Sequence, residues 1–403
     1  MSSNTSTAQK QKKKTIKKTT KKTTTTEKSS FTPSCMSLFS GLGGDSLGMQ
    51  NAGGKMVAYN EINPLFCDSH DLNFPDCKRI EHEGTLDITK IPDSTFLQYA
   101  NSIDILFAGF PCQGFSHAGK KMDNDPRNTL FREFLRVTQL IKPSLIIGEN
   151  VKGLLSRKTT SGEPYIDVIV SEFQKLGYSV QYKVLRADDY GVPQKRERLI
   201  ILGTLPNPDK QIDWKPSFPE PTLDNPNLRN IVKYDMSNTL KVDDALFDGI
   251  PDECILINMD DNQTYQDNND AHPYLVSKVF ATGDNLSYGG KTHEHLFSFG
   301  KRISPIHCEI VDIRQCCKTV ICSYDHQPRF FVPIRNPSGS FLRVLLPDEL
   351  KQIQGFPSNY QMLGNWKQKV TQIGNAVPPP LVQHVVQNIL NPPNPTDSNT
   401  KDA

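Results

Sequence analysis

The sequence predicts an α/β fold: a doubly wound, mostly parallel sheet with an inserted smaller, irregular, β-rich domain. Three observations predict it. From Cys35 to Leu205, short apolar runs bounded by Gly, Pro and Asn alternate with segments of helical periodicity. After Leu205 that alternation gives way to Pro, Asn, Asp and brief β-like runs. Near Pro347 helical periodicity returns.

In chain order, SCMSLFS reads as a strand, GLGG as a tight turn, and a helix starts near Asp45. MVAYNE is a second strand and PLFCDSHDL a helix, followed by a strand at IDILFAG. NTLFREFLRVTQLI is a helix, LIIGEN a buried strand and YIDVIVSEFQKLG a helix, before two strands, SVQYKVL and RLIILGT. DELKQIQGF is helical, and a last helix follows GNAVPPP. The expected divisions are a disordered basic tail (1–33), a first domain (34–205), an insertion (206–342), a C-terminal return to the first domain (343–391) and a disordered tail (392–403).

A chain of 403 residues can bury a large core. No apolar run is long enough to span a bilayer, and the first residues lack the apolar centre of a secretory signal. Nine cysteines, an odd number with no CxxC pair, imply reduced thiols in an intracellular protein. Such a chain is cytoplasmic in a bacterial or viral setting and nuclear in a eukaryotic one, and it is expected to be a monomer. Charge is uneven: residues 1–33 carry nine lysines against Glu27, a local +8, leaving −6 on a remainder whose total with the tail is +2. That Lys/Thr-rich segment cannot bury enough apolar surface to order itself. Non-specific nucleic-acid contact or nuclear import is one reading of it, and a solubilising extension is the other.

The first candidate site is the turn Phe39-Ser40-Gly41-Leu42-Gly43-Gly44. Glycines at a strand's carboxyl end let backbone approach a ligand, and the following helix N-terminus attracts negative charge. Ser46 stands where a dinucleotide fingerprint has its third glycine, so the loop indicates only a nucleotide-like cofactor, or a structural turn. Glu61 ends the second strand, where doubly wound folds place an acid against ribose hydroxyls. Asp87, in GTLDITKI, falls near the next strand's end and can reach a purine edge. Together these residues favour an adenosine-bearing ligand over isolated caps and solvated charges.

The second is Gly109-Phe110-Pro111-Cys112-Gln113-Gly114-Phe115. A cysteine after a proline at a strand's carboxyl end sits on the sheet's functional edge, and a thiolate is a strong nucleophile once its pKa is lowered. Alone it would be a buried small apolar residue. The following SHAGKKMDNDPRN is polar enough to serve as a lid. Glu149, at the end of LIIGEN, places a carboxyl group on a neighbouring strand, suited to proton donation. In QKRER, alternation sets Gln194, Arg196 and Arg198 on one face, two guanidiniums for phosphate or carbonyl oxygens.

With these blocks in view, the chain resembles the DNA (cytosine-5) methyltransferase family of restriction-modification systems. The resemblance rests on FSGLGG, the acid of NEINP, TLDI, GFPCQGFS, GENV, QKRER, RVLLPDELKQIQGFP and QIGNAVPPPLV, in family order. It implies an S-adenosylmethionine-dependent enzyme acting on double-stranded DNA, without membrane contact. Cys112 would add to carbon 6 of a flipped-out cytosine, Glu149 would act on ring nitrogen 3, and Asn150 would hold that strand end. Arg198 would contact the cytosine carbonyl, with Arg196 nearer the phosphates. Phe39 would stack on adenine, Gly41, Gly43 and Gly44 would form the loop, Glu61 would bind ribose and Asp87 would lie near the adenine amine. Leu130, Asn375 and Val377 would complete that pocket, and residues 206–342 would be the target recognition domain.

The chain departs from the family at Leu346, where relatives carry a polar residue. Lys318-Thr319-Val320 resembles the family's Thr-centred motif only weakly. His293, His295, His307, Cys308, Cys316, Cys317 and Cys322 cluster in the insertion without zinc spacing, so no metal is expected. Three other readings compete. A tRNA cytosine methyltransferase would carry PCQPF where this chain has Gly114. A nicotinamide oxidoreductase would need GxGxxG, and a non-catalytic DNA-binding module would lack part of the chemical set.

Overall fold

Residues 34–204 build a seven-stranded sheet whose apolar strands are buried on both faces, as parallel strands covered by helices must be. The structure, a computed structural model, describes residues 1, 31–111, 130–159, 161–222, 224–261, 263 and 270–392. From Thr32 onward the chain forms one compact unit.

The first half alternates as expected: β1 (Ser34–Leu38), α1 (Gly44–Asn51), β2 (Lys55–Asn60), α2 (Pro64–Asn73), a two-residue β3 (Lys78–Arg79), α3 (Asp93–Leu97), β4 (Ile105–Ala108), α4 (Leu130–Ile141), β5 (Leu145–Asn150), α5 (Tyr165–Lys175) and β6 (Ser179–Arg186). The short β7 (Gln194–Lys195) and then β8 (Glu197–Thr204) follow. The helices start where sequence chemistry puts them. Asn63 caps α2 by accepting the Leu65 N–H, with Pro64 in the first turn. Helix α4 buries Phe131, Phe134, Val137 and Ile141 along one stripe.

The sheet order is β3-β2-β1-β4-β5-β8-β6. Strands β3, β2, β1, β4 and β5 pair in parallel, while β8 lies antiparallel between β5 and β6. The chain winds outward from β1 to β3 and returns to β4 beside β1. That reversal opens a crevice at the strands' carboxyl ends. Neighbouring residues divide between the two faces: Cys35 and Ile105 join one apolar cluster, Met36 and Leu106 the other.

The insertion carries a second sheet, built from β9 (Leu240–Val242), β10 (Leu256–Ile257), β13 (Phe297–Phe299), β14 (Cys308–Ile310), β16 (Phe330–Asn336) and β17 (Gly339–Val344). A hairpin, β11 (Ser287–Tyr288) with β12 (Lys291–Thr292), stands apart. Strand β15 (Cys317–Lys318) pairs in parallel with β7, stitching the insertion to the start of β8. Besides the short α3, two helices go beyond the sequence expectation. One is α6 (Pro273–Val279), started by the His272 ring on the Tyr274 N–H. The other, α8 (Trp366–Asn375), lies between α7 (Pro347–Ile353) and α9 (Pro379–Leu390). Its buried face mixes Val370 and Ile373 with Gln372 and Gly374, so no apolar stripe announces it; an Asn365–Gln368 capping box does.

The C-terminal helix returns to the first sheet. Helix α9 lies so close on α1 that a Cβ at Gly48 would stand 2.5 Å from the Val382 Cβ and 2.6 Å from the Pro379 carbonyl oxygen. Only glycine permits that approach.

Candidate active site

A cavity of about 510 Å³ opens at the carboxyl ends of β1, β2, β4 and β5. Phe39 leaves β1 with φ of 58°, a left-handed conformation that is costly for an aromatic residue and clusters at functional sites. Gly41 also has positive φ, and no atom stands within 4 Å of where its Cβ would be, so its backbone faces open space. The Gly41 N–H donates to Glu61 Oε2 at 2.9 Å, and the Asn63 N–H donates to Oε1 at 2.8 Å. These two donors fix the Glu61 carboxylate on the cavity wall, while burial pushes its pKa up.

Leu130, Asn375 and Val377 line the same cavity, as does Asp87. Asp87 is not at a strand end, however. It caps a single 3₁₀ turn, Ile88–Lys90, accepting the Thr89 N–H (3.1 Å) and hydroxyl (2.7 Å), with Lys90 Nζ at 3.2 Å. The Thr89 hydroxyl leads in holding its carboxyl below the usual range. Gly43 and Gly44 do not line the cavity. A Cβ on Gly43 would meet His70 at 2.8 Å and the Tyr360 hydroxyl at 2.9 Å, and one on Gly44 would meet the Val377 carbonyl oxygen at 2.1 Å. Both positions are closed off by protein, so neither has room for a side chain.

The other end of the cavity is formed by Pro111, Glu149, Asn150 and Arg198. Cys112 and the rest of 112–129 lie outside the described residues. Asn150 Nδ2 donates to the Phe110 carbonyl (3.0 Å), and its Oδ1 accepts the Val151 N–H (2.9 Å), tying the end of β5 to the segment that leads to Cys112. Glu149 Oε1 pairs with Arg198 Nε at 2.6 Å, both side chains largely buried. Glu149 Oε2 turns toward Gly109, 3.6 Å from where a Cβ would stand there. Burial lowers the Arg198 pKa, and the Glu149 carboxylate opposes that effect.

Arg196 departs from expectation. It is 1% exposed, and its guanidinium donates to three backbone carbonyls, Val320 (2.9 Å), Gly374 (3.0 Å) and Ala376 (3.0 Å). Arg196 lines the cavity all the same, with its guanidinium engaged by these three carbonyls. Simple alternation sets it beside Gln194 and Arg198, but the chain breaks there between β7 and β8, and the guanidinium turns into protein.

The family model for C-5 cytosine-specific DNA methylase matches residues 33–391. The chain belongs to this family. It is a DNA cytosine-5 methyltransferase, and the family's DNA specification stands against the tRNA alternative. The Type II methyltransferase M1.HphI of Haemophilus parahaemolyticus is 31% identical over 90% of the chain and 89% of that protein. M.DdeI of Desulfomicrobium norvegicum, also a Type II methyltransferase, is 29% identical over 88% of each. Among solved structures, a Spodoptera frugiperda DNMT2 mutant superposes with a TM-score of 0.57 at 19% identity, covering 89% of this chain and 99% of that one. That likeness speaks to the fold.

Two groups, one lining this methyltransferase's cavity and one bonded to its wall, carry no signal in the sequence that distinguishes them. Asp45, in the first turn of α1, is 2% exposed and turns inward to the Ser37 hydroxyl, with Ser40 Oγ at 3.4 Å. Burial raises its pKa to about 7 against those hydrogen bonds. An acid in a first helical turn ordinarily reads as a dipole partner; only the facing serine of β1 shows otherwise. Gln354 is fully buried and bridges Gln194 (2.5 Å) to the Ala376 carbonyl. Among the described residues no group of three or more His, Cys, Asp or Glu side chains is placed to hold a metal, and no helix is long and apolar enough to cross a membrane.

Proposed function

We propose that this enzyme methylates carbon 5 of a flipped-out cytosine within a specific duplex sequence, with S-adenosylmethionine as donor and Cys112 as covalent nucleophile. The observation that carries the reading is that one cavity joins both halves of the chemistry: Phe39, Gly41 and Glu61 at one end, the Glu149–Arg198 pair and Pro111 at the other.

The residues present fit an adenosine-bearing donor. Gly41 offers backbone with free space before it, Glu61 a carboxylate for ribose hydroxyls, and Phe39 an aromatic face, with Leu130, Asn375 and Val377 around them. Asp87 stands by to meet the adenine amine. When bound, S-adenosylmethionine supplies an electrophilic methyl group.

Cytosine carbon 5 is a poor nucleophile, and the protein's task is to activate it. Addition of the Cys112 thiolate at carbon 6 gives the ring enamine character. Glu149 Oε2, its carboxyl steadied through Oε1 by Arg198, donates a hydrogen bond or proton to ring nitrogen 3 as charge develops. Arg198 orients the base through its carbonyl, and Asn150 fixes the end of β5 against the Cys112 segment. A solvent water then takes the carbon-5 proton, the carbon 6–sulfur bond breaks to release the Cys112 thiolate, and ring nitrogen 3 returns its proton to Glu149. Residues 206–342 read the flanking bases, and the lysines of 1–33 add sequence-independent attraction to phosphates. Nine cysteines without a CxxC pair support a reducing, intracellular setting.

The test is covalent trapping. Duplex DNA carrying 5-fluorocytosine at the methylated position, mapped by bisulfite sequencing, should hold the wild-type chain in a denaturation-resistant adduct, because fluorine cannot leave as a cation. Cys112→Ala should give no adduct and no methylation. Turnover by Cys112→Ala at the wild-type rate would overturn the mechanism.

A further inference from the structure

Arg196 is an expensive way to fill space. Its guanidinium is wholly enclosed, burial and then Arg198 pull its pKa down, no carboxylate touches it, and Nε has no hydrogen-bond partner among the described residues. A buried charge in that state costs stability that an apolar side chain of similar size would not. What the guanidinium gains is connection. Its three carbonyl partners come from two segments far apart in sequence. Val320 follows β15 in the insertion, while Gly374 and Ala376 flank Asn375 on the cavity wall.

The same joint is reinforced from both sides. Gln194 accepts the Val320 N–H (2.8 Å) and donates to Gln354, which donates to the Ala376 carbonyl. Thr319 Oγ1 donates to the Lys195 carbonyl (2.8 Å). A Cβ on Gly374 would lie 2.2 Å from the Cys322 N, so the two segments are in backbone contact. Ile321 and Cys322 are exposed there. Two residues along β8, Arg198 carries Glu149. Movement of residues 319–322 therefore cannot leave 374–377 in place, because close-packed, hydrogen-bonded segments shift together.

We infer that Arg196 is a positioning residue that couples the two ligands: seating of DNA against residues 319–322 and occupancy of the donor pocket at 374–377 favour one another through its guanidinium. The inference rests on the proposed function, in which the cavity holds the donor and the insertion meets DNA. Coupling of this kind is reciprocal and is read as a ratio of affinities, about 5- to 150-fold in typical cases.

The experiment uses the full-length chain. The affinity for S-adenosylhomocysteine is measured by calorimetry without DNA, with a duplex carrying the mapped target site and with a scrambled duplex. Wild type should bind it at least about fivefold more tightly with the target duplex than with the scrambled one. In Arg196→Lys one ammonium cannot span three carbonyls on two segments, and the ratio should fall to within about twofold of unity. Gln354→Met, which keeps the side chain's length and loses both of its bonds, should lower the ratio as well and decides the matter if the lysine variant does not fold. A uniform loss of stability lowers the melting temperature but does not move this ratio. Variants that melt lower yet keep the wild-type ratio would overturn the coupling and leave Arg196 a packing residue. Wild type that binds neither ligand would overturn the proposed function, and this inference with it.

Discussion

Asp45 allows a sharp test of how the cavity floor is built. Its carboxyl is enclosed by α1 and β1, bonded to Ser37 and Ser40, with a pKa of about 7 in the folded chain against an ordinary 3.8. The folded state thus binds the Asp45 proton more tightly than the unfolded state does. Stability must then fall as pH rises from the unfolded value to the folded one, and level off above it. A tenfold difference in proton affinity is worth about 1.4 kcal/mol, so the loss between about pH 5 and pH 8 comes to roughly 2–3 kcal/mol. Asp45→Asn keeps the shape and has nothing to ionise. Urea unfolding of wild type and variant, without cofactor, at several pH values across that window should show the variant gaining on wild type steadily as pH rises. A difference that stays flat across the window would mean that Asp45 is hydrated or already charged in the folded chain, and the enclosed-carboxyl account would fail.

Three further outcomes follow from individual contacts in the structure. Gly44→Ala drives a methyl group into the Val377 carbonyl, 2.1 Å away. It should cost about 1–3 kcal/mol of stability and weaken S-adenosylhomocysteine binding, because Val377 lines the cavity; unchanged calorimetric affinity would count against that wall. Glu349→Ala strips the fully buried Arg343 of its bidentate partner (2.7 and 2.8 Å) and should destabilise the chain by about 3–5 kcal/mol in denaturant unfolding. Glu149→Gln should retain duplex affinity while turnover falls by about 100- to 10,000-fold, and a rate within a few-fold of wild type would return Glu149 to a structural role.

The parts of the site legible in the sequence are those whose chemistry is fixed by position on one strand. Glu61 follows β2 directly and Glu149 stands one residue before the end of β5, so knowing the strands is enough to know which edge each acid serves. The fold is legible for a related reason. Strands buried on both faces are continuous apolar runs, and α4 shows its stripe plainly. Illegible parts depend on what a distant segment brings. Gly43 and Gly44 look like ligand glycines because a missing Cβ admits a cofactor and a protein carbonyl equally well, and only the return of the C-terminal segment shows which one arrives.

Arg196 and Asp45 carry that point into function. Each is a charged residue in or beside a motif block, and sequence reasoning sends charge to solvent or to substrate. Both instead turn inward, Asp45 to a serine of β1 and Arg196 to carbonyls more than a hundred residues away. The cavity therefore draws its walls from the amino-terminal turn, the start of β8 and the carboxyl-terminal return at once. A pocket closed by such separate segments can be complete only when all three are docked. That makes the polar joints between them, more than the individual lining residues, the place where binding of one ligand can be felt by the other.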